Sequence, residues 1–98
     1  MNYEVLLRPE AEADITEAYR WYEKQDEGLG EEFLRSVDAC FASVQRTPTA
    51  YPGAYRNVRR ALLRKFPYGI FYLIEADRLI VLACFHARRD PKQWQERL

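Results

Sequence analysis

Two nearly continuous apolar runs in the second half of the chain constrain its fold more than any other feature. They are Tyr68–Glu75 (YGIFYLIE) and Arg78–His86 (RLIVLACFH), both rich in β-branched and aromatic residues. Because only Ala76 and Asp77 separate them, they predict two antiparallel strands joined by a tight turn. Strict alternation places Ile80, Leu82 and Cys84 on one face of the second strand and Val81, Ala83 and Phe85 on the other. Both faces of the predicted sheet are therefore apolar.

The first half of the chain has the periodicity of two helices. A β-prone run, Asn2–Arg8, ends at Pro9, which suits the first turn of a helix because proline has no N–H to leave unpaired. Apolar residues recur on one helical face within residues 11–22 and again within residues 33–46. The two glycines within residues 26–31 predict that one helix ends there and another begins. These features predict an antiparallel helical hairpin.

The remaining segments complete a layered α+β fold. Thr47–Tyr55 contains two prolines and a glycine and is predicted to be a loop, whereas the basic Arg56–Phe66 alternates loosely like a strand. Asp90 is placed to cap a short helix that starts at Pro91 and contains Trp94. The predicted order is β-α-α-β-β-β with this short C-terminal helix. The helical hairpin packs on one face of a mostly antiparallel four-stranded sheet.

The second face of the sheet has only the short C-terminal tail to cover it. Two outcomes are open at this point. In one, the face stays partly apolar until a partner protein binds to it. In the other, the tail packs on the sheet well enough by itself.

Length and composition indicate one soluble domain spanning residues 1–98. The 98 residues are 48% hydrophobic and 31% charged, which suits a single globule. No apolar run approaches the roughly 20 residues that cross a bilayer. The first ten residues are too polar for a signal peptide, so we expect a cytoplasmic protein without membrane contact. Cys40 and Cys84 lack the spacing of a disulfide framework or a zinc site and are predicted to be buried, and no cofactor is expected.

Charge is divided between the two halves of the chain. Residues 1–50 carry 11 acidic and 5 basic side chains (11 − 5 gives −6), and residues 51–98 carry 4 acidic and 10 basic ones (10 − 4 gives +6). This division favours a basic surface for an acidic partner. Because the total is zero, broad binding to nucleic acid is not expected. The acidic residues of the first helix are predicted to form a solvated face rather than a pair of catalytic carboxylates; they are Glu10, Asp14, Glu17 and Glu23.

A basic cluster in the second half supplies the candidate site. The predicted contacts to a target or to nucleic acid are Arg59, Arg60, Arg64, Lys65, Arg88 and Arg89. Arg59 and Arg60 point to opposite faces of their strand. Arginines bind phosphate, and His86 can transfer a proton, so the cluster could serve cleavage of RNA with Arg64, His86 and Arg88. We favour a cationic contact surface over catalysis and assign no catalytic residue.

Four short patterns occur in order along the chain, in register with the predicted elements. The first is Ala-x-x-Asp-Ile at Ala11–Ile15, and the second is a proline in the loop after the second helix. The third is Phe-Pro-Tyr-x-Ile-x-Tyr at Phe66–Tyr72, and the fourth is His-x-Arg-Arg-x-Pro-x-x-Trp at His86–Trp94. Taken together, the four patterns resemble the RelE/ParE superfamily of toxins from bacterial toxin–antitoxin systems, and the resemblance covers nearly the whole chain.

This resemblance implies a small α+β toxin that a cognate antitoxin neutralises with a partly disordered C-terminal segment. RelE-like members of the superfamily cut mRNA on the ribosome, whereas ParE-like members poison DNA gyrase. The RelE-like nucleases use sheet lysines and arginines with a tyrosine or a histidine–aromatic pair near the C-terminus. Here no tyrosine follows Tyr72, and Ala87 follows His86. The long helical hairpin and the Phe-Pro-Tyr pattern also favour the ParE-like branch.

The resemblance therefore predicts a toxin of a type II, plasmid stabilisation-like system that arrests growth by inhibiting DNA gyrase. One alternative is a ribosome-dependent mRNA endoribonuclease, which would use the reduced site Arg64, His86 and Arg88. Another is a module that still binds antitoxin but has lost toxicity. The expected partners are the antitoxin and gyrase, or the ribosome and mRNA in the first alternative, in a homodimer or a toxin–antitoxin hetero-oligomer.

Overall fold

The computed structural model describes residues 3–98 and places one sheet between a helical hairpin and the C-terminal tail. Its elements are β1 (Glu4–Leu7), α1 (Pro9–Gln25), α2 (Leu29–Arg46), a 3-10 turn (Pro48–Ala50), β2 (Gly53–Tyr55), β3 (Val58–Leu62), β4 (Tyr68–Glu75), β5 (Arg78–His86) and α3 (Lys92–Gln95). The strand order is β1-β5-β4-β3-β2. The predicted α+β class and the helical hairpin are confirmed. No helix within the described residues has the length and apolar character needed to span a membrane.

The sheet is mixed and has five strands, one more than predicted. Three neighbouring pairs are antiparallel, and β1 runs parallel to β5. The extra strand is β2, which lies within the predicted loop Thr47–Tyr55 and pairs Gly53 with Arg59 of β3. Three residues that directly follow Pro52 give no period-2 pattern, so only contact with β3 makes this segment a strand.

The turn between the two helices is held by a side chain of α1. The Glu23 carboxylate accepts hydrogen bonds from the backbone N–H groups of Gly28, at 3.0 Å, and Gly30, at 2.9 Å. Gly28 has a φ of 88°, a backbone conformation that favours glycine. A Cβ atom at Gly30 would lie 2.8 Å from the Tyr19 ring, so glycine also permits the close approach of α1 and α2. Glu23 thus caps the first turn of α2 from the neighbouring helix.

Each face of the sheet carries its own buried cluster. The helical side, which faces α1 and α2, buries Ala11, Ile15, Ala18, Phe33, Val37, Cys40, Val44, Ala61, Leu63, Phe66, Ile70, Tyr72, Leu79, Val81 and Cys84. The tail side buries Val58, Phe71, Leu73, Leu82, Ala83, Phe85 and Trp94. Trp94 of α3 stacks on Phe71 with ring centroids 4.3 Å apart. Of the two outcomes left open by the sequence, the structure has the tail packed on the second face.

A β-bulge changes the predicted alternation of β5. Phe71 of β4 pairs with Ala83, but the next residue, Tyr72, pairs with Val81, so Leu82 has no partner in β4. Such an extra residue shifts the alternation of the bulged strand by one position. Cys84 therefore joins the buried cluster of the helical side, and the prediction that it shares a face with Leu82 is wrong.

The edge of β5 beyond β1 is covered by an ion pair. The last strand pair on this edge joins Leu7 to Val81. Beyond it, the Asp14 carboxylate accepts a hydrogen bond from the Cys84 N–H at 3.1 Å, and Arg97 donates to the Leu82 carbonyl at 2.9 Å. Arg97 also donates to both Asp14 oxygens, at 2.7 and 3.1 Å. Asp14 is only 8% exposed, so its placement on a solvated face is wrong: it turns inward to bind Arg97 and the strand edge.

Candidate functional site

The structure distributes the predicted cationic residues over three places. Arg59 lies under the loop that precedes β2, Arg64 and Lys65 lie in the turn after β3, and the rest surround the end of β5. The sequence predicts one cluster because these residues are close in number or lie at neighbouring positions of the predicted strands. The three groups have different environments.

Arg59 is occupied by the protein itself. Its side chain is half-buried and donates hydrogen bonds to the carbonyl oxygens of Tyr51, at 2.6 Å, and Thr49, at 3.1 Å. Arg60 points to the opposite face, where its side chain lies beside Gly69 and stays exposed. Arg59 therefore stabilises the loop, and Arg60 is free to contact a ligand.

Arg64 and Lys65 form an exposed corner next to α2. The backbone carbonyl of Arg64 accepts a hydrogen bond from the Ser36 hydroxyl at 2.8 Å, which ties the turn to the helix. Lys65 has a φ of 69°, a conformation that few residues other than glycine adopt. Arg35 and Arg46 of α2 line the same cleft as these two cations. Arg35 and Arg46 are not among the predicted contact residues, although their separation of eleven residues puts them on one face of a helix.

His86 lies at the end of β5, directly opposite Tyr68 of β4. The two rings pack edge to face with centroids 5.3 Å apart, and the Arg88 backbone N–H donates to His86 Nδ1 at 3.0 Å. Arg89 lies over the Phe85 ring, 4.4 Å from its centroid, while Arg88 has an exposed side chain. Because Nδ1 accepts a hydrogen bond in this arrangement, only Nε2 of His86 is available to a ligand.

A pocket of about 350 Å³ opens on the tail side of the sheet between these groups. Its wall carries Arg60, His86 and Arg89, and its apolar floor includes Phe71 and Trp94. No acidic side chain lines it among the described residues. This arrangement can bind an anion, but it offers one titratable group rather than an acid and a base.

The three residues of the nuclease alternative do not line a common pocket. Arg64 follows β3 and His86 ends β5, and β4 lies between them, a backbone separation of roughly two strand spacings, or ~10 Å. Tyr68, which is not among the predicted site residues, is the aromatic partner of the His86 ring. Burial raises the pKa of the Tyr68 hydroxyl, so it stays protonated at neutral pH.

No metal centre is formed by the part of the chain that the structure describes. Residues 3–98 contain no group of three His, Cys, Asp or Glu side chains arranged to hold a metal ion. Both cysteines are buried, as predicted, and burial raises the pKa of Cys40 to about 11 and that of Cys84 to about 12. Neither thiol is an available nucleophile near neutral pH.

Comparison with known proteins identifies the fold and the family. Two solved structures are similar: the chromosomal ParDE toxin–antitoxin system from P. aeruginosa and the RelBE2 toxin–antitoxin complex from Mycobacterium tuberculosis. The first is 16% identical with a TM-score of 0.72 and covers 86% of this chain and 95% of its own. The second is 17% identical with a TM-score of 0.63 and covers 88% of this chain and 99% of its own. At these identities the likeness is one of fold.

The sequence itself supports a narrower assignment. No curated protein sequence matches the chain significantly. The family model for the ParE toxin of the type II toxin–antitoxin system parDE, however, matches residues 5–91, which include both long helices and all five strands apart from Glu4. The resemblance inferred from the sequence patterns is thereby confirmed, and the chain belongs to the ParE toxin family of type II toxin–antitoxin systems.

Proposed function

We propose that the chain arrests growth by binding DNA gyrase, and that a cognate antitoxin neutralises it by binding in turn. The match of residues 5–91 to the ParE toxin family is the observation that carries this proposal. Both similar solved structures are toxin–antitoxin systems or complexes, which supports an antitoxin as partner. Gyrase is the target that the ParE-like branch implies.

The geometry of the cationic residues supports a binding role over RNA cleavage. An acid–base mechanism needs two proton-transfer groups and cations around one phosphate. The tail-side pocket holds one such group, His86, and the remaining nuclease candidates lie outside it, with Arg64 in the cleft beside α2. Cations in separate places suit a protein that makes several contacts on a large partner.

A supercoiling assay tests the proposal. Purified protein is titrated into DNA gyrase acting on relaxed plasmid, with and without the product of the reading frame adjacent to its own. We expect supercoiling to stop in the presence of the chain and to return when the adjacent product is added. Undiminished supercoiling at a saturating concentration of the chain would exclude gyrase as the target.

A second candidate, cleavage of mRNA on the ribosome, is favoured by the contact between Tyr68 and His86. These rings share one end of the sheet with Arg89, so a phenol, an imidazole and a cation are close together. The test is a translating extract to which the wild-type chain or His86→Asn is added. Asparagine keeps an acceptor for the Arg88 N–H but cannot transfer a proton. Cleavage by the wild type alone would establish this candidate, and intact mRNA in both reactions would remove it.

The growth of cells that express the chain tests the remaining alternative, in which the chain has lost its toxicity. Growth without arrest, while the adjacent product still co-purifies, would identify a module that only binds antitoxin.

A further inference from the structure

We propose that the cleft between α2 and the turn after β3 binds the sugar–phosphate backbone of a DNA duplex. Four cationic side chains line this α2–β3 cleft, Arg35 and Arg46 on its α2 wall and Arg64 and Lys65 on its turn wall. Its volume is about 730 Å³. The inference rests on the proposed function for its setting, because DNA gyrase holds a duplex against which a bound chain can place this cleft.

The four cations of the cleft are exposed and have no acidic partner within the described residues. Glu32 is the one acidic residue that lines the cleft there. The ion pairs within residues 3–98 are those of Arg78 and Arg97, so none of the four cleft cations has a carboxylate within 4.0 Å. Cations held together in this way create a positive potential, which favours an anionic ligand.

Hydrogen bonds that involve two serines hold both walls of the cleft in place. On the α2 wall, Arg46 Nη2 donates to the Ser43 hydroxyl at 3.1 Å, which leaves the other N–H groups of the guanidinium for a ligand. On the turn wall, the Ser36 hydroxyl donates to the Arg64 carbonyl at 2.8 Å and ties the turn to α2. Because both walls are held before a ligand binds, less ordering is needed on binding.

The apolar part of the cleft favours phosphates over an acidic protein segment. Between the two arginines of α2, the small residues Ala39 and Ala42 line the cleft. Leu62 borders it, but the Leu62 side chain lies on the tail side of the sheet, where its Cδ2 would be 3.5 Å from a Cβ atom at Gly69. Protein interfaces depend on large buried anchor side chains, whereas contact with a DNA backbone needs only cations.

The aromatic residue of the cleft favours a duplex over a single strand. Single strands bind proteins through bases that stack on exposed aromatic rings. Tyr51, the one aromatic residue among the described lining residues, is half-buried, and its ring packs against that of Tyr72 with centroids 6.5 Å apart. A duplex presents phosphates while its bases stay stacked on one another, so it needs no such ring.

The length of the cleft matches several phosphates of one strand. Eleven residues at 1.5 Å each place Arg35 and Arg46 ~16 Å apart along α2. In duplex DNA each strand carries a phosphate about every 3.4 Å along the axis, so this length faces about five phosphates. Because the chain as a whole has no net charge, this contact alone is weak, and docking on gyrase raises its effective concentration.

The salt dependence of DNA binding tests the cleft. A fluorescein-labelled DNA duplex of about 20 base pairs is titrated with the full chain, and anisotropy gives the affinity over a range of salt concentrations. Four phosphate contacts predict a slope of about −3.6 in a plot of log affinity against log salt concentration. In Arg64→Gln/Lys65→Gln two contacts remain, so we expect a slope of about −1.8 and an affinity about tenfold lower at low salt.

The matched control is Arg20→Gln/Lys24→Gln on the outer face of α1, which removes the same charge outside the cleft. This control should keep the slope of the wild type. Thermal melts confirm that each variant is folded. Equal losses in the two double variants would mean non-specific attraction to the cations of the protein and would overturn the proposal.

Competing ligands test the chemistry of the occupant. A thymidine single strand and a polyglutamate peptide are added to the complex at equal concentrations of charge, and we expect both to displace the labelled duplex less well than unlabelled duplex does. If polyglutamate binds at the cleft and the duplex does not, the occupant is an acidic protein and the proposal fails. Tighter binding of the single strand, or binding of an RNA duplex without binding of the DNA duplex, would also overturn it.

Binding to gyrase separates this inference from the proposed function. The affinity of the labelled chain is measured for gyrase alone and for gyrase with a bound duplex. We expect about tenfold tighter binding to the gyrase–DNA complex, and we expect Arg64→Gln/Lys65→Gln to lose this gain. Equal affinity of the wild type for both forms would overturn the DNA contact while gyrase binding stands. No binding of the wild type to either form would remove gyrase as the target, and the anisotropy measurements would still decide whether the cleft binds a duplex.

Discussion

The two faces of the sheet are buried by very different means. On the helical side, two helices of 17 and 18 residues cover a continuous cluster that includes the interlocked rings of Tyr22, Phe33, Phe66 and Tyr68. On the tail side, a helix of four residues covers a smaller cluster, chiefly through Trp94. Stability is therefore concentrated on the helical side, whereas the tail side depends on a few contacts near the C-terminus.

This difference arises because the helical hairpin and the C-terminal tail pack on the sheet in different ways. The helical hairpin connects long elements that are close in sequence, so many contacts form together. The tail must return across the sheet. It is held by one stacked ring, by two cations over the Phe85 ring (Arg89 and Arg97) and by the Asp14–Arg97 ion pair. A short segment with few contacts can detach locally without unfolding the rest of the domain.

The largest expected effect compares one aromatic residue from each face. Phe33 is fully buried, and Phe33→Ala should lower the free energy of unfolding by about 4 kcal/mol. Trp94→Ala should lower it by about 3 kcal/mol, because the tail can detach locally and so limit the loss. Urea denaturation measures both values. The control is Trp21→Ala, at an exposed position, which should change stability by no more than about 0.5 kcal/mol. A loss for Trp94→Ala larger than that for Phe33→Ala would reverse the comparison.

The ion pair that connects the two sides gives the next largest effect. Asp14→Asn keeps an acceptor for the Cys84 N–H but removes the charge that Arg97 binds, so we expect a loss of about 2 kcal/mol. Combining it with Arg97→Met should cost less than the sum of the single changes, because the two side chains interact. Additive losses would show that Arg97 does not depend on Asp14.

The exposed pair Glu75–Arg78 is the matched control, since its atoms are 3.4 Å apart but both side chains are largely in solvent. Glu75→Gln should change stability by no more than about 0.5 kcal/mol.

Alkaline pH should weaken the helical side selectively. Burial raises the pKa of Cys84 from its ordinary value of 9.0 to about 12 and that of Tyr72 from 10.0 to about 12. Above pH 9 the unfolded chain therefore releases protons that the folded chain retains, and stability falls as pH rises towards 12. We expect Cys84 and Tyr72 to account for a loss of about 1–2 kcal/mol between pH 8 and pH 10 in urea titrations, and Cys40, whose pKa is raised to about 11, to add to it. Cys84→Ala should reduce this slope, and an unchanged slope would show that the thiol does not contribute.

The smallest effect distinguishes two neighbouring arginines. Arg89 lies over the Phe85 ring and donates to Gln93 at 3.0 Å, so Arg89→Ala should cost about 1 kcal/mol and loosen the tail. Arg88 has no such side-chain contact among the described residues, and Arg88→Ala should be neutral within about 0.5 kcal/mol. Thermal melts of both variants would show whether the tail uses only one of them. Equal losses would remove the distinction.

Much of the fold follows from periodicity, because long amphipathic elements carry their own signal. The bounds of α1 and α2 and the turn at Ala76-Asp77 agree with the sequence analysis. Asp90 also accepts a hydrogen bond from the Lys92 N–H at 3.0 Å at the start of the short terminal helix, close to its predicted capping position. In each case residues near one another in the chain determine the structure.

The features that sequence could not reveal depend on contacts between distant segments. Strict pairing from the turn would place Phe85 opposite Tyr68, and the bulge at Leu82 instead places His86 there. That single shift creates the Tyr68–His86 contact of the candidate site. Asp14 likewise looks solvated in a helical pattern, and only the uncovered edge of β5 and the distant Arg97 explain its burial.

The sequence identifies which cationic residues are candidates better than it identifies which of them lie together. The structure assigns Arg59 to loop stabilisation and separates Arg64 from His86. Arg35 and Arg46 line the same cleft as Arg64 and Lys65. They come from α2, for which the sequence pattern indicates only the apolar face. Helix and strand cations meet through tertiary packing, which a periodic pattern within one element does not specify.

The central claim is that this ParE-family chain acts by binding, without proton transfer by His86. The most direct test is the growth of cells that express either the wild type or His86→Asn in the absence of antitoxin. The variant keeps an acceptor for Arg88, so it should fold and accumulate like the wild type. We predict that both chains arrest growth equally. Arrest by the wild type together with normal growth on folded His86→Asn would contradict the claim.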